Sequence, residues 1–271
     1  MRVTVLGSGT SHGVPSIGCD CAVCCSTDPH DRRTRPSILI ELDDVDKGDA
    51  ATPFAASVRS VLVDTSTDLR AQALAQHVRR IDAILFTHTH ADHVFGLDDV
   101  RRFNQMQGGM IPCYGDARTV RELRRMFAYA FERPEQKGGG VPELSLFTVA
   151  GPFTLGGIDF VPIPLMHGRL PILGFRVGSF AYLTDCNHIP DASWPLLQSN
   201  GGVQTVIIDA LRHRPHSTHF SVSEAVDAVH RLGAPRAFLT HICHDLPHEA
   251  TNAGLPAGVA LAYDGLTLEI A

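Results

Sequence analysis

Thr87-His88-Thr89-His90-Ala91-Asp92-His93 is the stretch of this 271-residue chain that decides how the rest is read. It follows a short apolar run, residues 83–86, whose length and bounds fit a strand, so a strand-end loop is expected here. Three imidazoles and a carboxylate this close together cannot all be core residues, because burying polar groups without partners costs several kcal/mol. Neutral imidazole is the commonest metal donor, and His with Asp suits zinc, manganese or iron. Four donors in one loop exceed what a single tetrahedral ion takes from one segment, which points to two ions.

Outward from that loop, residues 3–6, 37–42, 58–63, 147–149, 160–164, 174–177, 180–184, 206–209 and 237–240 read as strands. Helices are expected over 68–80, where Leu69, Ala73, Leu74 and Val78 recur at helical spacing, over 118–131 and over 221–232. Ser221 or Ser223 is the expected N-cap of the last of these. Residues 43–57 are small and polar and read as an exposed hairpin or insertion, and Gly138-Gly139-Gly140 should break the second helix. Arg118, Arg121, Arg124 and Arg125 on that helix read as a solvated face. The chain shows no internal repeat and no low-complexity linker. Helices recurring between strand pairs support an α/β or α+β class, and periodicity goes no further.

Composition narrows the classes. With 44% hydrophobic and 19% charged residues, disordered and fibrous chains are excluded. No run approaches the roughly 20 apolar residues that span a bilayer, and Met1 to Gly7 is too short for a signal segment, so a cytoplasmic protein is expected. The length fits a single domain over residues 1–271. A net charge of −6 argues against a surface that grips nucleic acid broadly. Four of seven cysteines, Cys19, Cys21, Cys24 and Cys25, fall within one short segment. Without an export signal these thiols stay reduced, and such a cluster reads as a metal site.

H-x-H-x-D-H after a strand resembles the metallo-β-lactamase superfamily, and the remaining motifs of that family follow in order. Asp64 matches its strand-end aspartate, His167 its third ligand motif, Asp185 its bridging aspartate and His241 its last ligand. The resemblance implies a four-layer αββα sandwich with metals at one edge of the paired sheets. It also implies that His88, His90 and His167 hold one ion, that Asp92, His93 and His241 hold the other, and that Asp185 bridges them. Asp64 would support the His loop from behind.

Gly7-Ser8-Gly9-Thr10-Ser11-His12-Gly13-Val14-Pro15, followed by Cys19-Asp20-Cys21-Ala22-Val23-Cys24, resembles the PhnP-type phosphodiesterases, which hydrolyse cyclic phosphates of ribose. That likeness implies a structural zinc on Cys19, Cys21, Cys24 and His244, a closed Cys3His shell, with Cys25 and Cys243 leaving the thiol assignment open. It also implies a histidine that protonates the leaving oxygen, for which His219 fits best and His216 is the alternative. His12 and Arg35 could reach a substrate phosphate, although chance placement in a surface loop is the better reading of both.

The expected activity is hydrolysis of a small cyclic phosphodiester, either a phosphoribosyl cyclic phosphate or a 2′,3′-cyclic nucleotide. A hydroxide held by two divalent ions, zinc or manganese, would attack, with Asp64, Asp92 and His219 as the catalytic side chains. The competing readings are a tRNA 3′-end endonuclease, a thioester or lactam hydrolase, and a non-catalytic metal-stabilised nucleotide-binding module. The first normally carries a long basic arm, the second has no use for the Cys loop, and the third should lack ligands that are present here. A small phosphodiester or nucleotide is therefore the expected partner, without membrane or nucleic acid. The resemblance also implies a homodimer, for which the sequence shows no exposed stripe.

Overall fold

Apolar runs that alternate between two buried faces build this fold. In the computed structural model, residues 1–42, 58–132 and 140–271 are described. The expected insertion at 43–57 and the glycines Gly138 and Gly139 lie outside them. The chain runs β1 (Arg2–Gly7), β2 (Ser37–Glu41), β3 (Ser60–Val63), α1 (Leu69–Ala75), β4 (Ala83–Leu85), α2 (Ala91–Val94) and α3 (Arg101–Gln107). Next come β5 (Ile111–Gly115), α4 (Ala117–Met126), α5 (Ala128–Phe131), β6 (Leu144–Thr148), β7 (Phe153–Leu155), β8 (Ile158–His167), β9 (Leu170–Val177) and β10 (Phe180–Leu183). It ends with α6 (Trp194–Gln198), β11 (Thr205–Asp209), α7 (Val222–Leu232), β12 (Arg236–Thr240), α8 (His248–Gly254), β13 (Val259–Leu261) and β14 (Thr267–Glu269).

The strands form two seven-stranded sheets, ordered β14-β1-β2-β3-β4-β5-β6 and β13-β12-β11-β10-β9-β8-β7. In the first sheet, pairing is antiparallel from β14 to β3 and parallel from β3 to β6. The second repeats that plan, antiparallel from β7 to β10 and parallel from β10 to β13. The topology is thus repeated where the sequence shows no repeat.

Three apolar layers hold the sandwich together. Val61 and Val63 of β3 enter a layer between the sheets with Phe160, Phe175, Phe180 and Tyr182, whereas Leu62 faces the outer layer with Leu69, Val94 and Phe103. In the second sheet Ile207 points inward, while Val206 and Ile208 face Trp194, Ala225 and Val229 on the far side. This period of two is what an αββα arrangement requires of strands buried on both faces.

Several elements depart from their sequence expectation. The helix expected over 68–80 stops at α1, and His77 beyond it takes a left-handed φ of 51°. The basic helix divides into α4 and α5 at Phe127, whose buried ring anchors the outer layer. β8 and β9 outgrow their expected lengths because they pair with each other over eight positions, His167 facing Leu170. β5, which contains Pro112, was not expected from the sequence. α7 begins at Ser221, whose hydroxyl accepts from the Glu224 N–H while the Glu224 carboxylate accepts from Ser221 N–H, a capping box.

Candidate metal centre

Parallel strands of both sheets end at one edge, and most of the polar residues singled out in the sequence leave from those ends. Asp64 follows β3, His88 follows β4, Asp185 follows β10 and His241 follows β12, while His167 closes β8. Three of these residues carry a left-handed backbone: Asp64 at φ 62°, Asp185 at 61° and His241 at 62°. Outside glycine that conformation costs about 1–3 kcal/mol and clusters at functional sites. Here it turns each side chain off its strand into the edge.

Asp64 is fully buried and accepts from Thr87 N–H at 2.8 Å, Thr87 Oγ1 at 2.7 Å and His93 Nδ1 at 2.7 Å. His93 thereby turns its Nε2 directly against Asp185 Oδ2. A ring nitrogen and a carboxylate oxygen packed this closely need positive charge between them, a proton on the ring or a metal cation. His241 Nε2 lies 3.3 Å from the same carboxylate oxygen and 3.6 Å from Asp92 Oδ2, and Asp92 Oδ2 lies 3.4 Å from His93 Nε2. Among the described residues, the donor atoms of Asp92, His93, Asp185 and His241 all lie within 4.8 Å of one another. Buried Nε2 of His88, Nε2 of His93, Nδ1 of His167, Nε2 of His241 and Oδ2 of Asp185 have no hydrogen-bond partner. Buried donors of this kind without partners suit a metal centre.

The electrostatics agree. Burial opposes charge on His93, yet Asp92, Asp64 and Asp185 hold its pKa well above the usual histidine value. Burial likewise opposes charge on His241, which Asp185 pushes up to about 10. Burial and the neighbouring His93 hold His88 well below the usual value. Asp185 resists burial and sits well below the carboxylate range beside His241 and His93. These carboxylates demand positive charge at the edge between the sheets.

His88, His90 and His167, grouped by the resemblance, are ring neighbours at 4.5–5.8 Å between centroids, a looser set than the Asp92 group. His90 stands at the exposed mouth. His167 Nδ1 lies 3.3 Å from Asp185 Oδ1 and His88 Nε2 3.8 Å from Asp185 Oδ2, so Asp185 touches both halves of the cluster.

One site residue was missed in the sequence. Asp209, at the end of β11 and fully buried, accepts from His219 Nδ1 at 2.8 Å. The available signal was the same one that marked Asp64 and Asp185: a carboxylate that ends an apolar run. His219 stacks on His241, its ring 4.6 Å away, and its Nδ1 is 3.4 Å from Asp185 Oδ1. His216 is further out, its Nδ1 3.2 Å from the Thr218 hydroxyl. Arg35 is held by Asp68 and by the carbonyl of Ser11, and His12 is exposed. The arginines of α4 are exposed, as expected of a solvated face.

A second cluster lies beside the first. The Sγ atoms of Cys19, Cys21 and Cys24 are 3.2, 3.6 and 3.4 Å from His244 Nδ1. A tetrahedral zinc with Zn–S of about 2.3 Å and Zn–N of about 2.0 Å has S···N edges of about 3.5 Å, so this donor set fits zinc without rearrangement. Cys24 is buried within it, whereas Cys25 is exposed outside it, and Cys243 Sγ instead accepts from Asp245 N–H. The Cys24 N–H bond lowers the Cys21 thiol to about 7, and burial pushes Cys24 up to about 11. Buried Arg33 ties the same two segments together, donating to Asp31, to the carbonyl of Leu246 and to that of Cys243.

Comparisons with known proteins agree with this geometry. Residues 59–242 match the β-lactamase superfamily domain. A structure described as a new diphosphatase from the PhnP family is 45% identical, covers 100% of this chain and 98% of its own, and superposes with a TM-score of 0.87. The zinc-bound PqqB of Methylobacterium extorquens (19% identity, TM-score 0.75) and the short form of human tRNase Z (18%, TM-score 0.65) each cover both chains completely and share the fold. The chain is also 36% identical over 268 residues to an octanoyltransferase of Porphyromonas gingivalis, covering 98% of this chain and 51% of that protein. It therefore spans about half the length of that curated relative. No helix among the described residues is long and apolar enough to cross a membrane.

Proposed function

The chain belongs to the β-lactamase superfamily as a PhnP-like metallo-hydrolase, and from that premise we propose that it hydrolyses a small cyclic phosphodiester. The observation that carries this reading is the convergence of unpartnered donors on Asp185, at the edge where Asp209 holds His219. Asp92, His93, Asp185 and His241, with His88, His90 and His167, are the residues that would hold two divalent cations, zinc or manganese. When bound, such cations supply positive charge for the phosphoryl oxygens and lower the pKa of water. Cys19, Cys21, Cys24 and His244 would hold a separate zinc, which a closed four-ligand shell keeps from the chemistry.

The chain's own residues divide the work. Asp64 fixes the ring and tautomer of His93, so that Nε2 faces the cluster. Asp92, against His93 and His241, is placed to take the proton of the attacking water. Asp209 fixes His219 through Nδ1, which leaves the opposite nitrogen to give a proton to the leaving alkoxide. One P–O ester bond breaks, one P–O bond forms from water, and the ring opens to a phosphomonoester.

A second reading, cleavage of a diphosphate, is favoured by the 45% identical PhnP-family diphosphatase. The zinc- or manganese-loaded protein should be offered ribose cyclic phosphates, 2′,3′-cyclic nucleotides, diphosphates, an octanoyl thioester and precursor tRNA. Turnover of the cyclic diesters above the rest is the expected result. Diphosphates turned over faster would select the second reading, and cleavage of the thioester or the RNA alone would overturn both.

A further inference from the structure

Asp28, His30 and Glu249 meet where the β1–β2 loop touches α8. One ligand atom from each, a ring nitrogen or a carboxylate oxygen, lies within 4.8 Å of the other two. None of the three belongs to the centre around Asp185 or to the Cys3His cluster. Their surroundings orient them. Asp28 caps the turn Pro29–Asp31, its Oδ1 accepting from the His30 N–H at 2.9 Å. The His30 ring packs on Tyr263 and on His248, with centroids 4.3 and 4.6 Å away. Glu249 follows His248 in the first turn of α8, and the His248 N–H donates to Asp31 Oδ1 at 2.9 Å, which holds that turn to the loop.

Two features separate this group from a chance meeting of surface charges. The first is that no arginine or lysine neutralises it. Among the described residues Glu249 makes no hydrogen bond or ion pair, and Asp28 is paired only with His30, 3.6 Å away. Arg33, the nearby guanidinium, is committed to Asp31 and to backbone carbonyls. The second is His248, which is 5% exposed and carries a buried Nδ1 with no hydrogen-bond partner. It packs against His30 and lies within electrostatic reach of Asp28. Buried nitrogens are normally paired, so the chain's own groups leave the polar network beside these donors incomplete. Two carboxylates and an imidazole match the charge of a divalent cation. They offer it nitrogen and oxygen without thiolate, a set that zinc accepts and that binds zinc ahead of manganese.

We propose that Asp28, His30 and Glu249 form a separate divalent-cation site, suited to zinc, that clasps the β1–β2 loop to α8. Three protein ligands leave a position for water, so this ion is held less tightly than one in the closed Cys3His shell and exchanges with free zinc. The site is independent of the phosphoester reading.

The test titrates zinc alone into wild type, Glu249→Gln, Glu249→Asp and His30→Gln, each already carrying the metals of the centre and of the Cys3His cluster. Elemental analysis at equal free zinc should find one ion fewer per chain in Glu249→Gln and His30→Gln than in wild type. Calorimetric affinity for that ion should fall by more than the roughly 10- to 100-fold that loss of an outer partner costs, and Glu249→Asp should retain part of it. Added zinc should raise the Tm of wild type and leave that of Glu249→Gln unmoved. Glu249 is exposed, so its replacement by Gln removes a ligand without opening the core. An equal zinc count and affinity in wild type and Glu249→Gln would overturn the site. Loss of the ion in His30→Gln alone would overturn it as well, because zinc would then sit on the histidines without the carboxylates.

Discussion

Asp64 and Asp209 play matching parts at the residue scale: each is fully buried at a strand end, and each holds one histidine through Nδ1. Only His219 is assigned to the leaving group, and this separates the two pairs experimentally. His219→Ala should lower kcat by about 10²–10⁴-fold on an unactivated diester. Asp209→Asn should lower it by about 10–100-fold, the usual effect of removing a partner that orients an active imidazole. A p-nitrophenolate leaving group needs little protonation, so both variants should recover most activity on such a substrate while keeping their metal. Equal losses on activated and unactivated diesters would refute the proton-donor role. Loss of metal from His219→Ala would place His219 among the ligands, a role its 3.4 Å separation from Asp185 makes worth measuring.

The loop between β1 and β2 carries little apolar packing of its own. Its apolar cluster is small, comprising Val14, Val23 and Cys24 with Cys19 and Cys21 packed against them. Two polar ties compensate, the Cys3His cluster and Arg33, and both join this loop to residues 243–248. Arg33→Met leaves Asp31 without its buried counter-charge and should cost about 3–5 kcal/mol. Cys21→Ser should release one zinc per chain and lower Tm. Because the two ties span the same segments, the double variant should lose less than the sum of the single losses. Denaturation of the four proteins with zinc analysis checks this. An unchanged Tm and zinc content in Cys21→Ser would reduce the cysteines to buried thiols.

Across the whole molecule, the edge where the two sheets meet concentrates negative charge from both, Asp64 and Asp92 from one side and Asp185 and Asp209 from the other. Divalent cations bound there should therefore stabilise the sandwich as well as activate it. At free metal a thousand times Kd the gain is about 4 kcal/mol. In a chain of this size that corresponds to a Tm higher by roughly 7 °C. Scanning calorimetry before and after chelation, with zinc or manganese added back, measures it. A Tm indifferent to chelation would mean that the carboxylates are balanced by protons and would remove the metal centre.

The residue types and their places along the chain were enough to point to metal binding, while the hydrolysis came only with the family resemblance. His88, His90, Asp92 and His93 are local in sequence, and Asp64, Asp185 and His241 each end an apolar run, so periodicity alone puts them at strand ends. The choice among equals was left to packing. Nothing in the order of residues separates Cys24 from Cys25, yet only one thiol can point inward beside Val14 and Val23. Asp209 looks like any strand-end carboxylate until α7 and the loop before it carry His219 back over β11. Strands are written locally, in a period of two, whereas a site built from both sheets exists only when burial of their facing layers brings distant strand ends to one edge.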